Sequence, residues 1–317
     1  MIDNPYLPGI DESVRCAAHS RRLGLDPGGT AFWVDEIIVV EVPLPWPKPV
    51  WQKAGFELIP DLMAEVGKRG RRVRVLAAVH EGPDPSVSEV SVHRRHADTA
   101  GFTTARQTVS VESVGEFVED LLSPGRDVSL PTEFMQSAPA DELLVCTQGS
   151  HDICCGTRGT TFVAEIRAAE PSLKVRRVSH TGGHRLAPTA VSLPDGRMWG
   201  LLDADTMIGI LHHTLSSSSA APYCRGFTGA EPGPAQMAER AVMALVDDWS
   251  FDSEPRGVEV QHADESQSRC LVTTADSSWQ VVVVPGREIP VITCGVAGGL
   301  PAKPGREWLV KRVEAVG

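Results

Sequence analysis

The chain has 317 residues, 42% of them apolar and 22% charged, with 41 acidic against 30 Lys and Arg side chains and a net charge of -11. That length exceeds the usual size of one domain and predicts two or three units, each with its own core. The acidic balance excludes the broad basic surface that nucleic acids select, and no run approaches the roughly 20 apolar residues that span a bilayer. The first residues, Met1 to Pro8, carry neither the basic nor the apolar stretch of a secretory leader. The expectation is a cytoplasmic protein with neither nucleic acid nor membrane as partner.

In chain order, residues 1–35 read as an irregular lead-in with a turn cluster at Asp26–Thr30. Glu36–Val42 is rich in β-branched residues and stops at Pro43, which predicts a buried strand. Pro43–Pro49 is too proline-dense for regular structure. From Trp51 to Gly67, Phe56, Leu58, Ile59, Leu62, Met63 and Val66 follow helical spacing, with Pro60 as a kink or restart. Arg72–His80, Val87–Val92 and Thr103–Val111 read as strands, and Val114–Leu122 as a helix with Ser113 as its N-cap. Ser123–Ala140, with Pro124, Gly125, Pro131 and Pro139, reads as a linker.

The same order then returns. Leu143–Cys146 is a predicted strand, Thr161–Ala169 a helix and Lys174–Ser179 a strand. Thr189–Leu193 and Met198–Leu202 form a hairpin through Pro194-Asp-Gly196. Asp205–Leu215 is a helix capped by Asp203 or Asp205. Ser216–Ser219 reads as a flexible break, and a helix runs from Gly233 to about Asp248. Gly257–Gln261, Arg269–Thr274, Trp279–Val284, Val291–Cys294 and Trp308–Val313 make a β-rich module with no recognisable chemistry.

Strand, helix, strand, hairpin and helix is the thioredoxin-like order, whose parallel crossover is right-handed. Two such units account for residues 36–215. The predicted fold is therefore α/β: tandem thioredoxin-like units, each a mixed sheet flanked by helices, plus a small C-terminal α+β module. The divisions fall at 1–135, 136–217 and 218–317. One identity links the units: Cys16 precedes Gly29-Thr30 by the interval at which Cys146 precedes Gly159-Thr160. Strand order contradicts that match, since it aligns 36–42 with 143–146.

Seven cysteines, Cys16, Cys146, Cys154, Cys155, Cys224, Cys270 and Cys294, are too few and too scattered for a disulfide scaffold. Cys146, Cys154 and Cys155, however, fall close together and call for a metal or redox explanation. Cys146 ends a strand and Cys155 lies near a helix start, where free N–H groups favour a thiolate; Thr160 reads as the cap of the helix that follows. His180-Thr-Gly-Gly-His184 sets two imidazoles around glycines that let the backbone approach a bulky cofactor. Cys146, Cys155, His180 and His184 thus form a candidate Cys2His2 set. Cys154 reads as a core residue, His151 as a ligand or hydrogen-bond donor, and His93, His96, His212 and His213 as surface residues. Zinc accepts such a set, but the eight residues between Cys146 and Cys155 exceed the usual zinc-knuckle spacing. The longer loop suits a 2Fe-2S cluster, whose potential rises when His replaces Cys; the Rieske spacing itself is absent.

Val145-Cys-Thr-Gln-Gly-Ser-His-Asp-Ile-Cys-Cys-Gly156, with His180-Thr-Gly-Gly-His-Arg-Leu-Ala-Pro-Thr-Ala190, resembles the sucrase/ferredoxin-like family of thioredoxin-like 2Fe-2S proteins. The resemblance extends to Gly29-Thr-Ala31, to Val40-Glu-Val-Pro-Leu-Pro-Trp46, and to Arg225-Gly with Gln236. It implies a 2Fe-2S cluster held by Cys146 and Cys155 on one iron and by His180 and His184 on the other. Cys155 is preferred to Cys154 because it precedes Gly156, as the family motif requires. The implied activity is one-electron transfer with a redox partner protein. Two alternatives stand beside it: a structural zinc protein using the same four residues, and a thiol-disulfide oxidoreductase using Cys146 with Cys154 or Cys155. Against the latter counts the missing Cys-x-x-Cys motif. Arg185 is expected to favour the reduced cluster, contact the partner or lie in solvent. The first unit, without a Cys and His set, reads as scaffold or docking surface, and no carboxylate pair supports glycoside hydrolysis.

Overall fold

A computed structural model describes residues 4–95, 101–123 and 141–316. His96 and the linker beyond Ser123 lie outside the described residues. The expected irregular lead-in contains a helix, α1 (Cys16–Arg22), which buries Cys16, Ala17, His19 and Ser20. Next come β1 (Glu36–Val42), α2 (Ile59–Lys68), β2 (Val73–Val79), β3 (Val87–Arg95), β4 (Phe102–Ser110) and α3 (Val114–Leu122). The β-branched run of β1 is buried almost throughout, as a central strand covered on both faces requires. Pro60 lies in the first turn of α2, where its missing N–H costs nothing, so it starts that helix. Ser113 makes no capping bond to α3 and pairs instead with the Ser110 hydroxyl.

The second set is β5 (Glu142–Cys146), α4 (Thr160–Ala169), β6 (Lys174–Val178), β7 (Thr189–Leu193), β8 (Arg197–Gly200) and α5 (Ala204–Leu211). Gly196, at φ +71°, closes the β7–β8 hairpin, and Asp203 caps α5 by accepting from the Thr206 amide. With β9 (Cys224–Phe227), these eight strands form one nine-stranded sheet in the order β4-β3-β1-β2-β6-β5-β7-β8-β9. In the first half β1 pairs parallel with β2, and β3 and β4 follow antiparallel. In the second half β5 pairs parallel with β6, and β7 and β8 follow antiparallel. Strand order and direction are thus the same in both halves, aligning β1 with β5. The Cys16 interval match has no counterpart, because Cys16 lies in a helix and Cys146 at a strand end.

The halves join where β2 meets β6 antiparallel, with Ala78 opposite Val178. Buried charges reinforce this seam: Arg176 of β6 lies 3.0 Å from Glu89 of β3, and Arg106 of β4 lies 2.8 Å from Glu142 of β5. The first half packs β1 and β2 against α2 and α3 through Ile38, Val40, Val75, Ile59 and Val118. The second packs Leu143, Val145 and Trp199 against Phe162, Ile166 and Met207.

The Ser216–Ser219 break is a short helix, α6 (Ser217–Ala220), capped by the Ser216 hydroxyl. Helix α7 (Pro234–Val246) then lies between β9 and a second sheet of β10 (Gly257–Ala263), β11 (Ser268–Thr273), β12 (Ser278–Pro285) and β13 (Trp308–Val316), antiparallel in that order. Fully buried Arg197 ties the two layers together by bonding Glu239 of α7 at 2.8 Å, and it also bonds Asp252. Val291–Cys294 is not a strand. It makes one bridge, to Lys303, and the Gly295 amide bonds Val14, which brings Cys294 against α1. No described helix is long and apolar enough to cross a membrane.

Candidate metal centre

Cys146 closes β5, after which the chain passes Gly149 and comes back through a π-helical turn, Cys155–Gly159, that runs directly into α4. Close backbone contacts make this return possible. A Cβ on Gly156 would lie 2.6 Å from Gly149 Cα, and one on Gly159 would lie 2.0 Å from the Cys146 carbonyl oxygen. Only glycine lets the turn fold this tightly onto the strand. Thr160 is continuous with this helix and does not cap it.

His180 follows β6, and Gly182 and Gly183 then adopt left-handed conformations, φ +80° and +66°, before His184 opens a short turn. Beneath this loop lies Arg225, which donates to the carbonyls of Gly182, at 3.2 Å, and Thr30, at 2.5 Å. Gln236 completes the support by bonding the backbone of Ala31 on both sides, at 3.0 Å each. The Arg225, Gln236 and Gly29–Ala31 positions thus form the floor of the histidine loop. His180 itself is fixed by Gln148, whose Oε1 accepts from its amide at 3.1 Å, and by Arg74, which donates to its carbonyl at 2.8 Å.

The ligand atoms of Cys146, Cys155 and His180 all lie within 4.8 Å of one another. Cys155, not Cys154, therefore joins Cys146. The Nδ1 atom of His180 is buried without a hydrogen-bond partner, and its ring stacks on that of His151 with centroids 3.7 Å apart. His184 stands to one side, its ring 6.3 Å from that of His180. Its Nδ1 lies 3.0 Å from an Asp152 carboxylate oxygen and 3.2 Å from the Cys16 sulfur.

Asp152 belongs to a second cluster. Ligand atoms of Cys16, Asp152, Cys154 and Cys294 also lie within 4.8 Å of one another. Sequence reasoning read Cys154 as core, or as a thiol partner of Cys146, and gave Cys16, Asp152 and Cys294 no ligand role; Cys16 and Cys294, 138 and 140 positions from Cys154, carry no local spacing signal.

The charges follow from these contacts. Hydrogen bonds from Cys155 and then His180 draw the Cys146 thiol well below its ordinary range despite burial, while Cys155 keeps the shared proton and is pushed up. Cys154 is lowered to about 6, chiefly by its bond from Cys16, whose own thiol is raised. Burial, with His180 and Lys48 nearby, lowers His151 to about 4. Burial also lowers Arg225, to about 10, and Arg74. Arg185 is neither solvated nor presented to a partner; it is buried and donates to the Ile289 carbonyl at 2.9 Å. His93, expected at the surface, is fully buried beside Thr104, at 2.9 Å. His212 and His213 are exposed.

Among known proteins, the family model described as sucrase/ferredoxin-like matches residues 27–226, which include both motifs, Gly29–Ala31 and Arg225 but not Gln236, Cys16 or Cys294. No curated protein and no solved structure matches the chain.

Proposed function

Because the chain belongs to the sucrase/ferredoxin-like family, we propose that it is a one-electron carrier whose 2Fe-2S cluster is held by Cys146, Cys155, His180 and His184 in the second of two thioredoxin-like units. The observation that carries this reading is the convergence of Cys146, Cys155 and His180 within 4.8 Å, with a buried imidazole nitrogen that has no protein partner. Such a donor set fits a metal better than it fits packing, since a buried polar atom without a partner is costly. His184 completes the set through Nε2, because Asp152 engages its Nδ1 and holds the ring as carboxylates hold metal-bound imidazoles. When bound, a 2Fe-2S cluster exchanges one electron at a potential that imidazole ligands raise relative to four thiolates.

The remaining residues set the surroundings. Arg74 and Arg225, each largely buried, place positive charge near the Cys146 sulfur and offset the charge of thiolate ligands. His151 covers one face of His180 and keeps its ring in place. The partly exposed edge formed by His151, His180 and His184 is where electrons leave, and a redox partner protein docks there. Seven free thiols agree with a cytoplasmic setting.

The test is the visible spectrum of anaerobically purified protein, before and after dithionite, with iron, sulfide and zinc assayed on the same sample. A coloured protein that bleaches on reduction and holds equal iron and sulfide supports the proposal. Zinc at these four residues, without iron, refutes it.

A further inference from the structure

We infer that Cys16, Cys154, Cys294 and Asp152 form a second metal site that binds a single zinc ion, separate from the Cys146 and His180 centre. The sulfur of Cys154 lies 3.5 Å from that of Cys16 and 3.4 Å from that of Cys294. Asp152 places its carboxylate oxygens 3.9 and 4.0 Å from the Cys16 sulfur. A tetrahedral ion with zinc–sulfur bonds of about 2.3 Å sets its sulfurs about 3.8 Å apart, so little movement would accommodate it. A disulfide, in contrast, needs sulfurs about 2.05 Å apart.

Packing does not account for the arrangement. A buried thiol can act as a small apolar residue, but a half-buried carboxylate set among three thiols, two of them buried, adds a charge that apolar packing does not answer. Thiolate-rich donors select soft or borderline ions such as zinc. The other groups that face the cluster are accounted for: the Cys154 amide donates to Asp152 at 2.8 Å, the Cys16 amide donates to Cys294 at 3.4 Å, and His184 Nδ1 reaches both Asp152 and Cys16. An access route exists as well, because Cys154 lines a cavity of about 460 Å³ together with Arg15, Arg158 and Glu165.

The three sulfurs come from α1, from the loop between the cysteines of the first motif, and from the segment before Gly295. A zinc ion would fasten the chain's two ends to the loop that carries Cys155. It would thereby fix the Asp152 side chain that orients His184, so the site supports the proposed cluster without belonging to it.

Metal content separates the two sites. Full-length protein from zinc-supplemented cells is assayed for zinc and iron beside Cys16→Ser/Cys294→Ser and Cys146→Ser/Cys155→Ser. One zinc per chain is expected in the parent and in the second variant. In the first variant the zinc should be lost, its affinity falling by more than the roughly 10–100-fold that loss of an outer-shell partner costs. Should that variant fail to fold, Cys146→Ser/Cys155→Ser titrated with cobalt should show tetrahedral thiolate bands, and zinc X-ray absorption should report three sulfurs and one oxygen. Parent protein without zinc, zinc unchanged by Cys16→Ser/Cys294→Ser, or mass spectra showing two of these cysteines oxidised to a disulfide would each overturn the inference. Parent protein that holds zinc but no iron would refute only the electron-carrier reading, whereas loss of iron from Cys146→Ser/Cys155→Ser with zinc retained is the outcome both readings expect.

Discussion

Replacing Gly159 by alanine sets two physical effects against each other. Its backbone is helical, φ -65° and ψ -39°, and on propensity alone alanine there would stabilise by about 0.5–1 kcal/mol. The new Cβ, however, would lie 2.0 Å from the Cys146 carbonyl oxygen and 3.1 Å from its carbonyl carbon. A carbon–oxygen contact settles at about 3.3 Å, so the turn and the strand would have to part by roughly 1.3 Å. Strand β5 cannot yield alone, because β6 and β7 pair with it on either side. Overpacking of this kind costs about 1–3 kcal/mol, and the clash should win, leaving Gly159→Ala less stable by about 2 kcal/mol. The same separation moves Cys146 from Cys155 by far more than the roughly 0.2 Å that metal ligation tolerates, so iron content should fall with stability. Urea unfolding and iron assay test this beside Gly67→Ala in α2, where a Cβ meets nothing within 4 Å and a gain of about 0.5 kcal/mol is expected. A Gly159→Ala protein that is as stable as the parent and holds as much iron would refute the argument that this glycine sets the Cys146–Cys155 spacing.

Burial holds His93 neutral down to about pH 4, whereas an unfolded chain protonates the same ring near pH 6.5. The folded pKa is depressed, so this stability is present above pH 6.5 and is lost as pH falls toward 4. Between pH 7 and pH 5 the loss is about 2 kcal/mol, and the unfolding free energy of His93→Gln, read from urea titrations, should fall less than the parent's by that amount. Arg225→Met leaves the Gly182 and Thr30 carbonyls without their buried donor; a loss of about 3 kcal/mol and faster amide exchange in the histidine loop are expected, and Arg225→Lys should not restore either. Glu239→Gln removes one of the carboxylates that compensate buried Arg197 and should lower the unfolding free energy by about 3 kcal/mol, as read by thermal denaturation.

Much of the sheet was legible because its signals are local. Val39, Val40 and their neighbours form a β-branched run that only a covered strand accommodates, and Pro194-Asp-Gly196 fixes the β7–β8 hairpin by turn chemistry alone. Helix α1 was not legible: seven residues without a side-chain cap give too short a period to recognise. Val291–Cys294 has strand-like composition, but it gains only one bridge, so propensity there yields to context. Ser216–Ser219 looked like a linker because serine is common in both linkers and caps, and here Ser216 caps. His93 looked exposed beside Arg94 and Arg95, yet β3 turns it inward while its neighbours remain partly exposed. Around the candidate site, the convergence of Cys146, Cys155 and His180 was readable because each sits in or beside a motif at a strand end. The displacement of His184 toward Asp152 and Cys16 was not, since Cys16 lies 168 positions away in the sequence and carries no local signal.

The seam between the halves holds a final consequence. Beyond the pairing of Ala78 with Val178, the Ser179 amide bonds Ala77, Arg74 bonds His180, Lys48 bonds the His151 carbonyl at 2.7 Å and Gln148 bonds Pro47. These bonds from the first half end on the two motif loops. Whatever orders those loops also rivets one half to the other, so the free energy of loading the centre is shared with the joint between them. On the proposed reading, stripping the ligand should therefore weaken the loop side of that joint, leaving it to the Arg176–Glu89 and Arg106–Glu142 pairs and to the apolar cluster that Leu76 and Ala78 share with Leu144 and Val178.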